Sequence, residues 1–230
     1  MLISNKYKFI FIHIHKTGGT SIKSALRSRI PLTDVLISHL FSGNTRAKDV
    51  VYNYQLMQKS YNVKKTHSFQ AVNKLQEKVK SNFFSRPFSL DNYFKFAFVR
   101  NPWTHQASLY HHILRDTKHF QHEAVSKAGN FENYIDWLVH DSNQTQQKEF
   151  ITDYNGEVII DFVGRFENIE VDFQTICKTL NLDIKLPHVN RNPHAKKDYR
   201  DYYTKETQKM LYDYFREDIE FFGYSFPEKS

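Results

Sequence analysis

At 230 residues and 27.5 kDa, with 40% apolar and 16% aromatic residues and only 7 Gly and 6 Pro, the chain can build one sizeable core and is not a disordered or low-complexity sequence. It carries 32 Lys and Arg against 25 Asp and Glu, a net +7 with a pI near 9.2, which favours acidic partners over basic ones. The single cysteine, Cys177, excludes an intramolecular disulfide, and no apolar run reaches the roughly 18 residues of a membrane-spanning helix.

In chain order, residues 9–15, "FIFIHIH", are apolar at nearly every position and rich in β-branched and aromatic types, as in a parallel strand covered on both faces. The run ends in Lys16-Thr17-Gly18-Gly19-Thr20-Ser21, and Ile22, Ala25 and Leu26 then take up helical spacing as far as Pro31. Residues 32–60 read as irregular and polar, with weak helical character over 47–59. "YNVKKTHSF" predicts a second strand running into a turn, followed by a helix through Ala71, Leu75 and Val79. A third strand, "YFKFAFV", ends at Arg100, and Asn101 and Pro102 then supply a cap and a first helical residue.

Farther on, "FENYIDWLV" predicts an amphipathic helix, "VIIDFVGRF" a strand and "NIEVDFQTICKTL" a helix on which Cys177 shares the apolar face with Phe173, Ile176 and Leu180. Core packing is therefore the expected role of this thiol. Residues 185–200 form a Pro-, Asn- and Lys-rich loop, and "TKETQKMLYDYFREDIEFFGY" closes the chain as one helix. Strands alternating with helices predict a single α/β domain over residues 1–230, with a mainly parallel central sheet in a P-loop-like three-layer α/β/α arrangement.

In such sheets ligands sit beyond the carboxyl ends of the strands, where the N-termini of the following helices attract anions and glycines allow close approach. The Lys16–Ser21 segment supplies amides, hydroxyls and one cation, which together read as a phosphate cradle. It is not the phosphate loop of nucleoside triphosphatases, whose lysine follows its last glycine; here Lys16 precedes both. No apolar strand ends in an Asp suited to hold Mg²⁺, since Asp161 begins its apolar stretch. Arg100, at the end of another strand, offers a planar fork to a second phosphate, and Ser108, about two helical turns later, offers a hydroxyl.

The segments "HKTGGTS", "FVRNPWTHQASLY", "VGRFENIEVDFQTIC", "LPHVNRN" and "DIEFFGYSF" occur in an order that closely resembles the carbohydrate sulfotransferases, the family of the heparan sulfate 2-O- and 6-O-sulfotransferases and their bacterial relatives. The resemblance runs from about residue 8 to residue 226. It implies transfer of a sulfuryl group from 3′-phosphoadenylyl sulfate (PAPS), leaving PAP, to a carbohydrate hydroxyl. It also implies that Lys16, Thr17, Gly18, Gly19, Thr20 and Ser21 bind the 5′-phosphosulfate, with Lys16 on the bridging oxygen, and that Arg100 and Ser108 hold the 3′-phosphate. Arg191, Lys196 and Lys197 cover the adenosine, meet an acidic acceptor or form a solvated loop.

An attacking hydroxyl needs a base, and among 12 histidines His67 stands at the predicted end of the second strand, where related enzymes place a histidine or an acid. His13 and His15 flank the cradle, where packing or hydrogen bonding also accounts for them. No HExxH or Cys/His cluster occurs, so no metal is expected. The acceptor is expected to be a carbohydrate, an acidic polysaccharide or a glycolipid, with peripheral membrane contact compatible with the charge and no nucleic acid partner. Residues 30–66 and 111–150 are where acceptor choice is expected to lie. A cytoplasmic location is expected, although a Golgi-lumenal domain trimmed of its anchor would read the same. Two other readings stay open: an atypical nucleotide-dependent phosphotransferase and a non-catalytic nucleotide- or glycan-binding module.

Overall fold

The computed structural model describes residues 1–40, 46–49, 92–187 and 198–226. The expected second strand with His67, the helix through residues 71–79 and the basic-loop residues Arg191, Lys196 and Lys197 lie outside the described residues. The fold is α/β, with a sheet that is four-stranded and mostly parallel among the described residues, and the chain divides into two compact units, residues 1–98 with 149–189 and residues 99–148 with 190–230.

In the first unit the strands are β1 (Leu2–Ser4), β2 (Phe9–Ile12), β3 (Phe94–Val99) and β4 (Phe162–Arg165), adjacent in that order. β1 runs antiparallel to β2, and β2 runs parallel to β3 with Phe9 opposite Phe94 and Ile12 opposite Ala97. Alternate side chains share a face, so Phe9, Phe11, Phe96 and Phe98 line one side. There they meet Ile22, Ala25 and Leu26 of α1 (Gly19–Arg27) and Phe173, Ile176 and Cys177 of α6 (Ile169–Thr179). Phe11 and Phe96 stack at 5.1 Å between centroids, and a Cβ on Gly164 of β4 would run into the ring of Phe98. Each such buried side chain contributes about 2 kcal/mol by leaving water.

Residues 32–40 are not irregular as the composition predicts, but form α2 (Leu32–Leu40). α1 stops at Arg27, short of Pro31, and Pro31 instead opens α2, because its carbonyl accepts from the amides of Asp34 and Val35 and its ring is tolerated at a helix start. α2 seals the outer edge of β1: Ser38 Oγ accepts from Ile3 N at 2.9 Å, and Asp34 accepts from Ser4 Oγ at 2.9 Å. This covers backbone groups that an edge strand would otherwise present for pairing. β2 also stops at Ile12, three residues before the apolar run ends.

The second unit holds α3 (Pro102–Arg115), α4 (His122–Ala128), α5 (Phe131–Asp141), α7 (Lys205–Tyr214) and α8 (Arg216–Phe222) around a core containing Trp103, Tyr110, Tyr134, Tyr203, Leu211 and Ile219. Buried hydroxyls are paired: Tyr134 Oη donates to Gln106 Oε1 at 2.7 Å and Tyr203 Oη to the Trp103 carbonyl at 2.8 Å. The expected single closing helix is broken at Phe215, which lies outside helical geometry (φ −103°, ψ 27°) and buries its own ring. Trp103 and Tyr110 are core residues, 3% and 7% exposed.

Candidate functional site

The first candidate site is the turn between β2 and α1. β2 delivers the chain at Ile12, and the backbone then turns through two left-handed residues, Lys16 (φ 61°) and Gly18 (φ 84°), before α1 begins at Gly19. Glycine adopts that region freely; a lysine there carries a conformational cost of about 1–2 kcal/mol, the kind of strain that collects at functional turns. Thr17 is fully buried, and its Oγ1 donates to the Ile14 carbonyl at 2.9 Å, closing the turn. Gly18 is the helix N-cap, and its carbonyl accepts from Ser21 N at 3.1 Å and Ile22 N at 3.2 Å.

A glycine cap offers no side-chain acceptor to the first-turn amides, and the first turn of α1 carries no acid. Both features leave the positive end of the helix dipole for an external anion. The two glycines are required by packing as well. A Cβ on Gly18 would strike Ile169 Cδ1 and press on the Phe166 ring, and one on Gly19 would occupy the edge of the His13 imidazole. Thr20 is exposed and Lys16 and Ser21 are half-buried, so the lip of the turn is polar and cationic.

Two residues outside the motif complete this turn. Lys23, one helical turn into α1, places Nζ 2.9 Å from His13 Nδ1. Burial and then the Lys23 charge push His13 down to about 3, and Lys23 is itself lowered by burial and by Arg27. The spacing of His13 before the cradle hints at a role, but its pairing with Lys23 depends on how the strand and helix fold back on each other.

The second candidate site is the β3–α3 junction. Arg100 follows β3 directly, and Asn101 Oδ1 caps α3 by accepting from Trp103 N at 3.1 Å, with Pro102 at the first helical position, as the sequence predicts. The Arg100 guanidinium is oriented along α3, Nε donating to Thr104 Oγ1 at 3.0 Å. Its backbone is held by the Gln147 amide, whose Oε1 accepts from Arg100 N at 2.8 Å while Nε2 donates to the Arg100 carbonyl at 2.7 Å. Gln147 is anchored in turn by Asp218, fully buried on α8, which accepts from Gln147 N at 2.7 Å and Lys148 N at 2.8 Å. The polar run "SNQTQQK" carries no local signal for this latch. Ser108 lies two turns along α3, half-buried.

Ile12 pairs with Ala97 in a parallel register, so β2 and β3 end on the same edge of the sheet. Among the described residues no group of His, Cys, Asp and Glu has the arrangement of a metal site, and no helix is long and apolar enough to cross a membrane. Cys177 is 1% exposed, and burial raises its thiol to about 11, which makes it a core residue and not a nucleophile.

The chain is 31% identical over 112 residues to an uncharacterized protein of Archaeoglobus fulgidus, a stretch covering 48% of this chain and 85% of that one. It is 24% identical over 268 aligned positions to carbohydrate sulfotransferase 12 of Xenopus laevis, covering 99% of this chain but only 60% of the frog protein. No solved structure matches. The model of the sulfotransferase family matches residues 1–225, taking in both the β2–α1 turn and the Arg100 junction, and the chain therefore belongs to the sulfotransferase family.

Proposed function

We propose that this sulfotransferase takes its sulfuryl group from PAPS and delivers it to a hydroxyl of a carbohydrate, by in-line displacement without a metal. The observation that carries the reading is the β2–α1 turn, where a helix start with a glycine cap and no acid in its first turn follows a lysine held in a left-handed conformation. Those are donors suited to an anion, with one cation placed before them and none of the order of an ATP-binding phosphate loop.

Lys16 and the amides and hydroxyls of Thr17, Gly18, Gly19, Thr20 and Ser21 would hold the 5′-phosphosulfate. Arg100, with its guanidinium set by Thr104 and its backbone by Gln147, and Ser108 would hold the 3′-phosphate. Bound in this way, PAPS supplies the sulfuryl group. The acceptor oxygen would take the sulfuryl group as its bond to the bridging oxygen breaks, and PAP would leave with the negative charge that develops there. Lys16 is assigned to stabilise that growing charge, an effect on the order of 3 kcal/mol for one such donor. The acceptor proton goes to a base, for which His67 is the assigned residue. A carbohydrate acceptor is supported by the frog relative's name and by the net positive charge, which suits an acidic polysaccharide or glycolipid.

The test is calorimetric binding of PAP to the wild type, Lys16→Ala and Arg100→Ala, with ATP as comparison and no Mg²⁺. Micromolar PAP binding that both substitutions weaken, and that ATP does not match, is the expected result. Mg-ATP binding in the absence of PAP binding would replace this reading with a phosphotransferase. If PAP binds but sulfate transfer to a panel of glycans fails, a binding module takes its place.

A further inference from the structure

The His13 side chain touches two parts of α1 at once. Its Nδ1 lies 2.9 Å from Lys23 Nζ, while the opposite ring edge, Cδ2 and Nε2, fills the space a Cβ would need on Gly19. An ammonium can only donate, so Nδ1 must be the acceptor in this pair. A neutral imidazole accepting at Nδ1 carries its proton on Nε2. That N–H therefore sits on the ring edge packed against Gly19, the first residue of α1, beside the amides that form the cradle.

We propose that His13 is an anion-binding residue of the cradle, a neutral Nε2–H donor to the phosphosulfate group whose tautomer is set by Lys23. This rests on the PAPS reading given above. The charges around the ring fit it. Lys23 on α1, the amino group of Met1 ahead of β1 and His15 on the same turn all disfavour a charged imidazole, Arg27 acts on Lys23, and no carboxylate among the described residues acts on the ring. Burial works in the same direction. The arrangement divides labour: Lys23 contributes positive charge behind the ring, and the ring passes on a directional donor without needing to be protonated itself. It also removes His13 as the base of the reaction, because a nitrogen that carries the proton cannot accept the acceptor's.

The test uses the full chain as wild type, His13→Phe, His13→Gln, Lys23→Met and the double variant His13→Phe/Lys23→Met. Ring nitrogen shifts in ¹⁵N-labelled protein report the tautomer without any ligand, the His13 signals being those missing from His13→Phe. Wild type is expected to be neutral with the proton on Nε2 from pH 5.5 to 7.5, and Lys23→Met to show both tautomers. Calorimetry with PAP at pH 7.5 reads the binding role. His13→Phe is expected to weaken PAP about tenfold, the usual size for a lost hydrogen bond to a charged group, and His13→Gln, which keeps an N–H at the ε position, to stay within about threefold. Lys23→Met, with the ring proton shared between the two nitrogens, is expected to weaken PAP, and the effects of the two substitutions are expected to be less than additive in the double variant.

A proton on Nδ1 in wild type, or PAP binding by a folded His13→Phe equal to wild type, overturns the proposal. Should His13→Phe not fold, the ring tautomers of wild type and Lys23→Met and the PAP affinity of His13→Gln decide it. If wild type binds no PAP at all while the ring shows the Nε2–H tautomer, the nucleotide reading has failed and the donor role goes with it. If wild type binds PAP and only the His13 substitutions are silent, the nucleotide reading stands and this inference alone is wrong.

Discussion

Lys16 combines a cation the proposed chemistry needs with a backbone angle, φ 61°, that a lysine adopts at a cost. Substituting it should separate the two. Lys16→Ala is expected to lower sulfate transfer about 100-fold with no gain in stability, the size expected for losing one charge-stabilising donor. Lys16→Gly should lower transfer as much but raise stability by about 1 kcal/mol, because glycine takes the left-handed turn without strain. Thermal melts beside initial rates distinguish them, and equal melting points would show that the turn stores no strain. His13 gives a second prediction at this scale. Its folded-state value, pushed down to about 3 chiefly by burial, lies below the ordinary 6.5, so the native state binds fewer protons than the unfolded one between those values. This contribution to stability is present in full above about pH 6.5 and is lost as pH falls towards 3. Denaturation of wild type and His13→Phe at pH 7 and pH 4.5 should therefore show a smaller acid loss in the variant.

At the scale of elements, the strand–turn–helix unit works because two glycines permit contacts that any side chain would block. Gly19 leaves room for the His13 ring, so Gly19→Ala should destabilise, and part of the loss should be recovered in Gly19→Ala/His13→Ala, where the obstructing ring is gone. Chemical denaturation of the two single variants and the double variant measures the coupling. Strictly additive effects would mean that the contact is relieved elsewhere. Gly18 has no such rescue, since its φ of 84° is left-handed and Ile169 and Phe166 of the neighbouring segment stand against it. α2 shows how an element escapes sequence reading. Its residues, "LTDVLISHL", follow a proline that reads as the end of one helix, and their role is decided by an edge strand 30 positions earlier that needs Asp34 and Ser38 as partners.

For the whole molecule, the excess of 32 basic over 25 acidic side chains bears on the acceptor. If the acceptor is an acidic polysaccharide, its KM should rise several-fold between about 50 and 500 mM NaCl as the charges are screened, whereas KM for a neutral glycan should stay level. A salt-independent KM with the preferred glycan would argue for a neutral acceptor. A chelator should leave transfer unchanged, since the proposed mechanism assigns charge stabilisation to Lys16 and not to a metal ion.

The β2 strand, the glycine turn, α1, the capped α3 behind Arg100, β4 and α6 were legible in the sequence because each is specified locally, by apolar period, by Asn-Pro at a helix start, or by glycines between strand and helix. Family membership was legible for the same reason, as several short motifs in a fixed order. The Cys177 thiol was correctly placed on an apolar helical face. Tertiary structure alone decided the pairs that join distant segments: α2 against β1, Asp218 holding Gln147, Gln147 holding Arg100, and Lys23 turned back onto His13. Each depends on a polar atom finding a partner tens of residues away or across a turn, and such a partner is chosen by the packed geometry of the elements and leaves no period in the chain.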